Sequence, residues 1–211
     1  MTNPNIDQFE PSIDHRVTEL FDLSNLFSDF MSVERATYRE GRPETDGEHT
    51  LHVMFLGVAY AAKYHPELDS MKIAMFFMIH DLDEVYVGDV NSLTADDMAM
   101  AAKERAEEKS RGILRHKLAE QPFLLDFLER YWQQDEPEAR FARSFEKIDP
   151  SFAHIRDGGQ AIRAMEGVSD RLAYDELNER AINRMSSYAP SDIVALRRAM
   201  GERVVETVFP V

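Results

Sequence analysis

The sequence predicts an all-α fold, and three observations carry that expectation. Apolar residues recur at three- and four-residue steps through most of the chain, the spacing of one helix face. No stretch of useful length alternates apolar and polar residues as a half-buried strand would. Helix punctuation, as capping pairs and first-turn prolines, falls between the periodic segments. With 211 residues, 44% of them hydrophobic, the chain can bury one sizeable core.

Residues 1–12 contain Asn, Pro and Asp with little periodicity and read as a flexible lead. From Asp14 to about Arg39, the positions Val17, Leu20, Leu23, Phe27 and Met31 trace an amphipathic helix. "REGRPETDGEH" breaks it. Inside that break Thr45 stands three residues before Glu48, the capping-box spacing, so a second helix is expected from about Asp46 to Tyr64. It is apolar nearly all round and therefore central. A third, "SMKIAMFFMIHDLDEVYV", is similar and runs to near Gly88. "NSLTADDMAMAAKERAEEKSRGILRHKLAE" reads as a long exposed helix capped by Thr94, "PFLLDFLERYW" as another, and "PEARFARSFEKID" as one beginning at Pro137. Two more are expected at about 169–186 and 191–207. The organisation predicted is a lead over 1–12, a core unit over 13–160 and C-terminal helices over 161–211 that pack on it.

Charge narrows the function. The net charge of -15 argues against a nucleic-acid polymer or an anionic membrane as partner, because both need clustered Lys and Arg. Cysteine is absent, which excludes a disulfide framework and a thiolate zinc site. The first residues lack the basic start and apolar centre of a signal peptide, and the apolar stretch Val53–Ala62 is too short for a bilayer. A cytoplasmic protein is the expectation.

The chemistry concentrates in "FMIHDLDEVYVGD", residues 77–89. Burying His80, Asp81 and three further carboxylates beside "IAMFF" is costly unless the groups are paired or hold a cation. His49 falls in the first turn of the second helix, and His80 with Asp81 at the end of the third. Imidazole and carboxylate without thiolate suit one divalent ion among Mn, Fe, Co, Zn and Mg. Glu84, four residues after His80 and three after Asp81, projects to the same side and is placed to exchange a proton with water. His52, His65, His116 and His154 read as surface or packing residues.

"EHT" at 48–50, "HDLDEVYVGD" at 80–89 and "EARFARSFEKID" at 138–149 resemble the HD superfamily of metal-dependent phosphohydrolases, most closely its 5′-deoxynucleotidase branch. The resemblance implies an HD-domain helical bundle with His49, His80 and Asp81 as metal ligands. It implies Glu84 as the catalytic acid/base and Asp89 as a catalytic residue that meets the sugar or aids proton transfer. Arg35, fourteen residues before His49, would bind the substrate phosphate. Members release phosphate from nucleoside 5′-monophosphates, usually as homodimers. Two departures stand out. Ala36 occupies the place of a Trp that disfavours the 2′-hydroxyl. The family's last ligand is an Asp, and ungapped alignment puts Glu146 there, with Asp149 three residues on; register favours Glu146, and Pro150 is expected to keep Asp149 out of the α region. Triphosphohydrolysis of nucleoside triphosphates, or a nucleotide-binding regulator whose metal site has drifted, are the alternatives.

Overall fold

The computed structural model describes residues 11–210 except 90, 92, 166 and 169, so the expected lead lies almost wholly outside the described residues. Helix α1 spans Ile13–Met31 and stops with its apolar stripe, well short of Arg39. The following segment, read in the sequence as a simple break, forms an antiparallel ribbon of β1 (Glu34–Arg39) and β2 (Arg42–Thr45). Glu40 and Gly41 close it with φ of 53° and 82°. Two positive-φ residues between paired strands give a turn whose twist matches the ribbon.

Helix α2 (Asp46–Tyr64) starts where the sequence places it, and both hydrogen bonds of the Thr45–Glu48 capping box are formed. Helix α3 (Ser70–Ile79) ends at His80, and the chain tightens into a 3-10 turn over Leu82–Tyr86 instead of continuing as α-helix. Helix α4 (Asp97–Lys117) is capped by Asp96, which accepts from Ala99 N–H at 2.8 Å, not by Thr94. Helix α5 spans Pro122–Gln133.

"PEARFARSFEKID" is not one helix. Helix α6 (Pro137–Phe145) gives way to a 3-10 turn over Glu146–Ile148, and α7 (Asp149–Arg156) follows. Pro150 does not exclude Asp149 from the helical region: Asp149 sits at φ -55°, ψ -42°, with the proline in the first turn, where its missing N–H leaves no bond unmade. A short α8 (Gln160–Ala164) precedes α9 (Arg171–Met185) and α10 (Ser191–Val208).

Helices α2 and α3 pack together at the centre, with α5 and α6 against α3. Gly57 permits this approach, since a Cβ there would lie 2.3 Å from the Phe77 ring. Phe30, Val53, Phe76, Phe77, Phe141 and Phe145 fill the main core. A smaller core of Ile162, Tyr174, Leu177, Val204 and Val208 joins α8, α9 and α10, and α10 ties it to α7. Among the described residues no helix is long and apolar enough to cross a membrane.

Candidate metal centre and cavity

The packing of α2 on α3 brings His49 and His80 together, 1% and 3% exposed. His49 Nδ1 lies 2.8 Å from Asp149 Oδ2, and His80 Nδ1 lies 2.7 Å from the Phe77 carbonyl oxygen. Both neighbours are acceptors, so each Nδ1 carries its ring's proton and each Nε2 keeps a lone pair. Those two Nε2 atoms face each other at 3.2 Å. Asp81 Oδ2 joins them, 3.0 Å from His80 Nε2 and 3.8 Å from His49 Nε2.

Three electron-pair donors converging at these distances repel one another unless a cation lies among them. Bonds of about 2.0–2.2 Å to a common ion separate neighbouring N and O ligands by roughly 3–3.6 Å. The donor set therefore fits a divalent metal. Burial lowers the basicity of His80, and the charge and hydrogen bond of Asp81 more than offset it, holding His80 above the ordinary imidazole value. The tightening of the chain after Ile79 serves this centre. Asp81 leaves the helix at φ -108°, ψ 14°, between α3 and the 3-10 turn, and from that position its Oδ2 reaches the Nε2 of His80.

Asp149 lies on the far side of the His49 ring from Nε2. Its second oxygen is 2.5 Å from His52 Nδ1, so His52, expected as a surface or packing residue, belongs to the structure behind the centre. Burial pushes the Asp149 carboxyl up, but the hydrogen bonds from His49 and His52 hold it below the ordinary range. Such a carboxylate fixes the tautomer and orientation of a ligating imidazole. Three residues apart on an uninterrupted helix, Glu146 and Asp149 would share a face. The helix break between them separates them: Glu146 lines the cavity that His80 and Asp81 face, with Oε1 2.5 Å from Lys147 Nζ.

Arg35, on β1, reaches the centre's other flank. Its Nη1 lies 2.6 Å from Asp46 Oδ1, 2.9 Å from Asp81 Oδ2 and 3.9 Å from Glu84 Oε2. Burial alone would lower its pKa, but Asp81, Asp89, Glu84 and Asp46 raise it well above the ordinary value. One guanidinium does not neutralise three carboxylates. Burial and the Asp81 charge accordingly push Asp46 up to about 7 and Glu84 well above the ordinary carboxyl value. Glu84 Oε1 accepts from Lys103 Nζ at 3.1 Å, while Oε2 is buried without a hydrogen-bond partner. Asp89 accepts from the Ala36 backbone N–H at 3.2 Å and so ties β1 to the loop beyond the 3-10 turn.

A cavity of about 390 Å³ opens beside these groups, within the range of small-molecule sites. Arg35, His80, Asp81, Glu84, Asp89 and Lys103 line one part of it. Asp46 and Lys103 escape sequence reading. Asp46 looks like an ordinary first-turn acid, and Lys103 sits among alternating charges on an otherwise exposed helix.

Residues 30–188 match the HD domain family. In fold, the chain is similar to a protein from Magnetospirillum magnetotacticum described as a predicted metal-dependent phosphohydrolase. The TM-score is 0.69 at 21% identity, over 93% of this chain and 96% of that one. It is also similar to a conserved hypothetical protein from Pyrococcus furiosus, with TM-score 0.57 at 21% identity over 87% of this chain and 98% of that one. No curated protein matches the sequence significantly.

Proposed function

The chain belongs to the HD-domain family, and from that premise we propose that it is a metal-dependent phosphohydrolase releasing phosphate from nucleoside 5′-monophosphates. The observation that carries this reading is the convergence of the His49 and His80 Nε2 lone pairs with Asp81 Oδ2, flanked by an arginine and a buried glutamate. His49, His80 and Asp81 would hold the ion, with Glu146 the carboxylate on the cavity side from which a fourth ligand would come and Asp149 the group that orients His49. A divalent ion held there supplies Lewis acidity toward phosphate oxygens and toward water.

The chain's own residues do the rest. Arg35 presents donors toward the cavity for the phosphate oxygens, and its fork geometry suits them. Glu84, with its pKa raised by burial and by neighbouring carboxylates, can take a proton from water and return it to the leaving 5′-oxygen. Lys103 keeps Glu84 in place. Asp89 acts by holding the backbone of β1, and with it Arg35, against the site. Ala36 offers only a methyl group on the cavity wall, so nothing at that position crowds a 2′-hydroxyl, and ribo- and deoxyribonucleotides should both enter.

The likeness to the Magnetospirillum protein supports phosphohydrolysis in kind. A homodimer fits the surface. Leu20 and Phe21 on α1 and Leu51 and Phe55 on α2 are 64–74% exposed, and α1 contacts α2; these are the apolar side chains that we propose a second copy covers. The test of the activity is phosphate release from a panel of nucleoside 5′-monophosphates with Mn, Co, Fe, Zn or Mg supplied. Release with at least one metal, abolished by chelation, is expected. No release with any metal sinks the reading, and triphosphate released from nucleoside triphosphates would replace it.

A further inference from the structure

The same cavity is also lined from α7, α9, α10 and the link between the last two, by Ser151, His154, Tyr174, Tyr188 and Arg197. Arg197 is the unexpected group. It is 7% exposed; its Nη1 donates a long hydrogen bond, 3.4 Å, to Ser151 Oγ, and its other hydrogen-bond partner is the Tyr174 side chain. Among the described residues no carboxylate pairs with it: burial lowers its pKa, and Tyr174 acts against that. His154 beside it is 4% exposed, and its Nδ1 has no hydrogen-bond partner. From Arg143 to Arg197 the cavity wall carries four basic side chains against one carboxylate, Glu146, which Lys147 already holds.

An unanswered buried cation destabilises a fold unless something binds it. A guanidinium whose partners among the described residues are neutral hydroxyls, a neutral imidazole with an idle ring nitrogen and a serine hydroxyl, all lining one cavity, match the oxygens of an anion. We propose that this part of the cavity receives a second anionic group of the substrate, remote from the phosphate that is cleaved, with Arg197 as its main partner and Ser151 and His154 as supporting hydrogen-bonding groups. The substrate class is then a nucleoside 5′-phosphate that carries a further phosphate or carboxylate. The inference rests on the phosphohydrolase reading for the other end of the cavity.

The experiment compares a nucleoside 3′,5′-bisphosphate with the 5′-monophosphate of the same nucleoside. Calorimetry in the full-length, metal-loaded Glu84→Gln background gives the ratio of affinities without interference from turnover, and phosphate release by the unaltered protein is followed separately. At least tenfold tighter binding of the bisphosphate is expected, and Arg197→Met should bring the ratio close to one. A ratio near one before Arg197 is changed overturns the proposal, as does a preference that survives Arg197→Met. If neither nucleotide is hydrolysed but the Arg197-dependent preference is present, the nucleotidase reading fails and the anion site stands. Arg197→Met should not lower the melting temperature, whereas removal of a merely structural arginine would. If that variant does not fold, Arg197→Lys keeps the charge and loses the fork, and should reduce the ratio at least threefold; an unchanged ratio there counts against the proposal.

Discussion

Replacing Asp149 with alanine removes the acceptor of two hydrogen bonds at once, those from His49 Nδ1 at 2.8 Å and His52 Nδ1 at 2.5 Å. A buried N–H left unpaired costs about 1–3 kcal/mol. The His49 ring is 1% exposed and suffers the full penalty, while the His52 side chain, 22% exposed, can turn to water. The expected loss of stability is therefore about 2–4 kcal/mol. Freed of its acceptor, His49 can also adopt the other tautomer, with the proton on Nε2 and no lone pair facing His80 and Asp81. Loss of such an orienting partner typically weakens metal binding 10–100-fold, or about 1.4–2.8 kcal/mol. Asp149→Asn should fall between, because its amide accepts from one imidazole and opposes the other. The assay is a competition titration of zinc or manganese against a chromogenic chelator at neutral pH, with His49→Ala and Glu146→Ala beside it. Affinity within threefold of the unaltered protein would refute the positioning role. A loss as deep as that of His49→Ala would make Asp149 a direct ligand and overturn the geometry described above.

Glu84→Gln should retain the metal and lower turnover by about two to four orders of magnitude; near-normal phosphate release would remove Glu84 from the proton transfer. In metal-free protein, Asp46 and Glu84 keep their protons to higher pH in the folded state than in the unfolded chain, with Asp46 raised to about 7. Their contribution to stability is present below the ordinary carboxyl range and lost as pH rises toward 7, at up to about 1.4 kcal/mol per pH unit for each proton. Urea unfolding between pH 4 and 7 should show this decline, shallower in Asp46→Asn; an identical slope in that variant would exclude Asp46 as a source. Sedimentation should give a dimer, and Phe55→Glu should shift it toward monomer; a protein monomeric at all concentrations would contradict the assigned face.

The helices were legible wherever periodicity and capping agreed, as at Thr45–Glu48. The ribbon of β1 and β2 was not, because six and four residues are too few for alternation to show, and only Gly41 marks the turn. His49, His80 and Asp81 could be picked out together because a histidine heading one apolar helix and His-Asp ending the next is an unusual pairing. Asp149 and Glu146 could not be sorted by type or register, since a helix break lay between them. Arg197, His154 and Lys103 carry no local signal. What sets them apart is a relation to residues distant in sequence, the absent carboxylate at Arg197 or the Glu84 carboxylate at Lys103, and such relations appear only once the chain is folded.

The contacts of His49 also bear on the order in which the protein assembles. It meets His80 across 31 residues of chain and Asp149 across 100. Closing loops of that length takes entropy that local helix formation does not, so the isolated helices can form early while the centre between them waits for the chain to return. An ion that requires all three segments has little to grip in a nascent or partly unfolded chain. It should bind almost solely to the finished protein and slow unfolding more than it speeds folding. Occupancy by metal then reports that synthesis and folding have passed Asp149, and a chain ending before that residue, though it holds His49, His80 and Asp81, would carry its donors without the means to aim them.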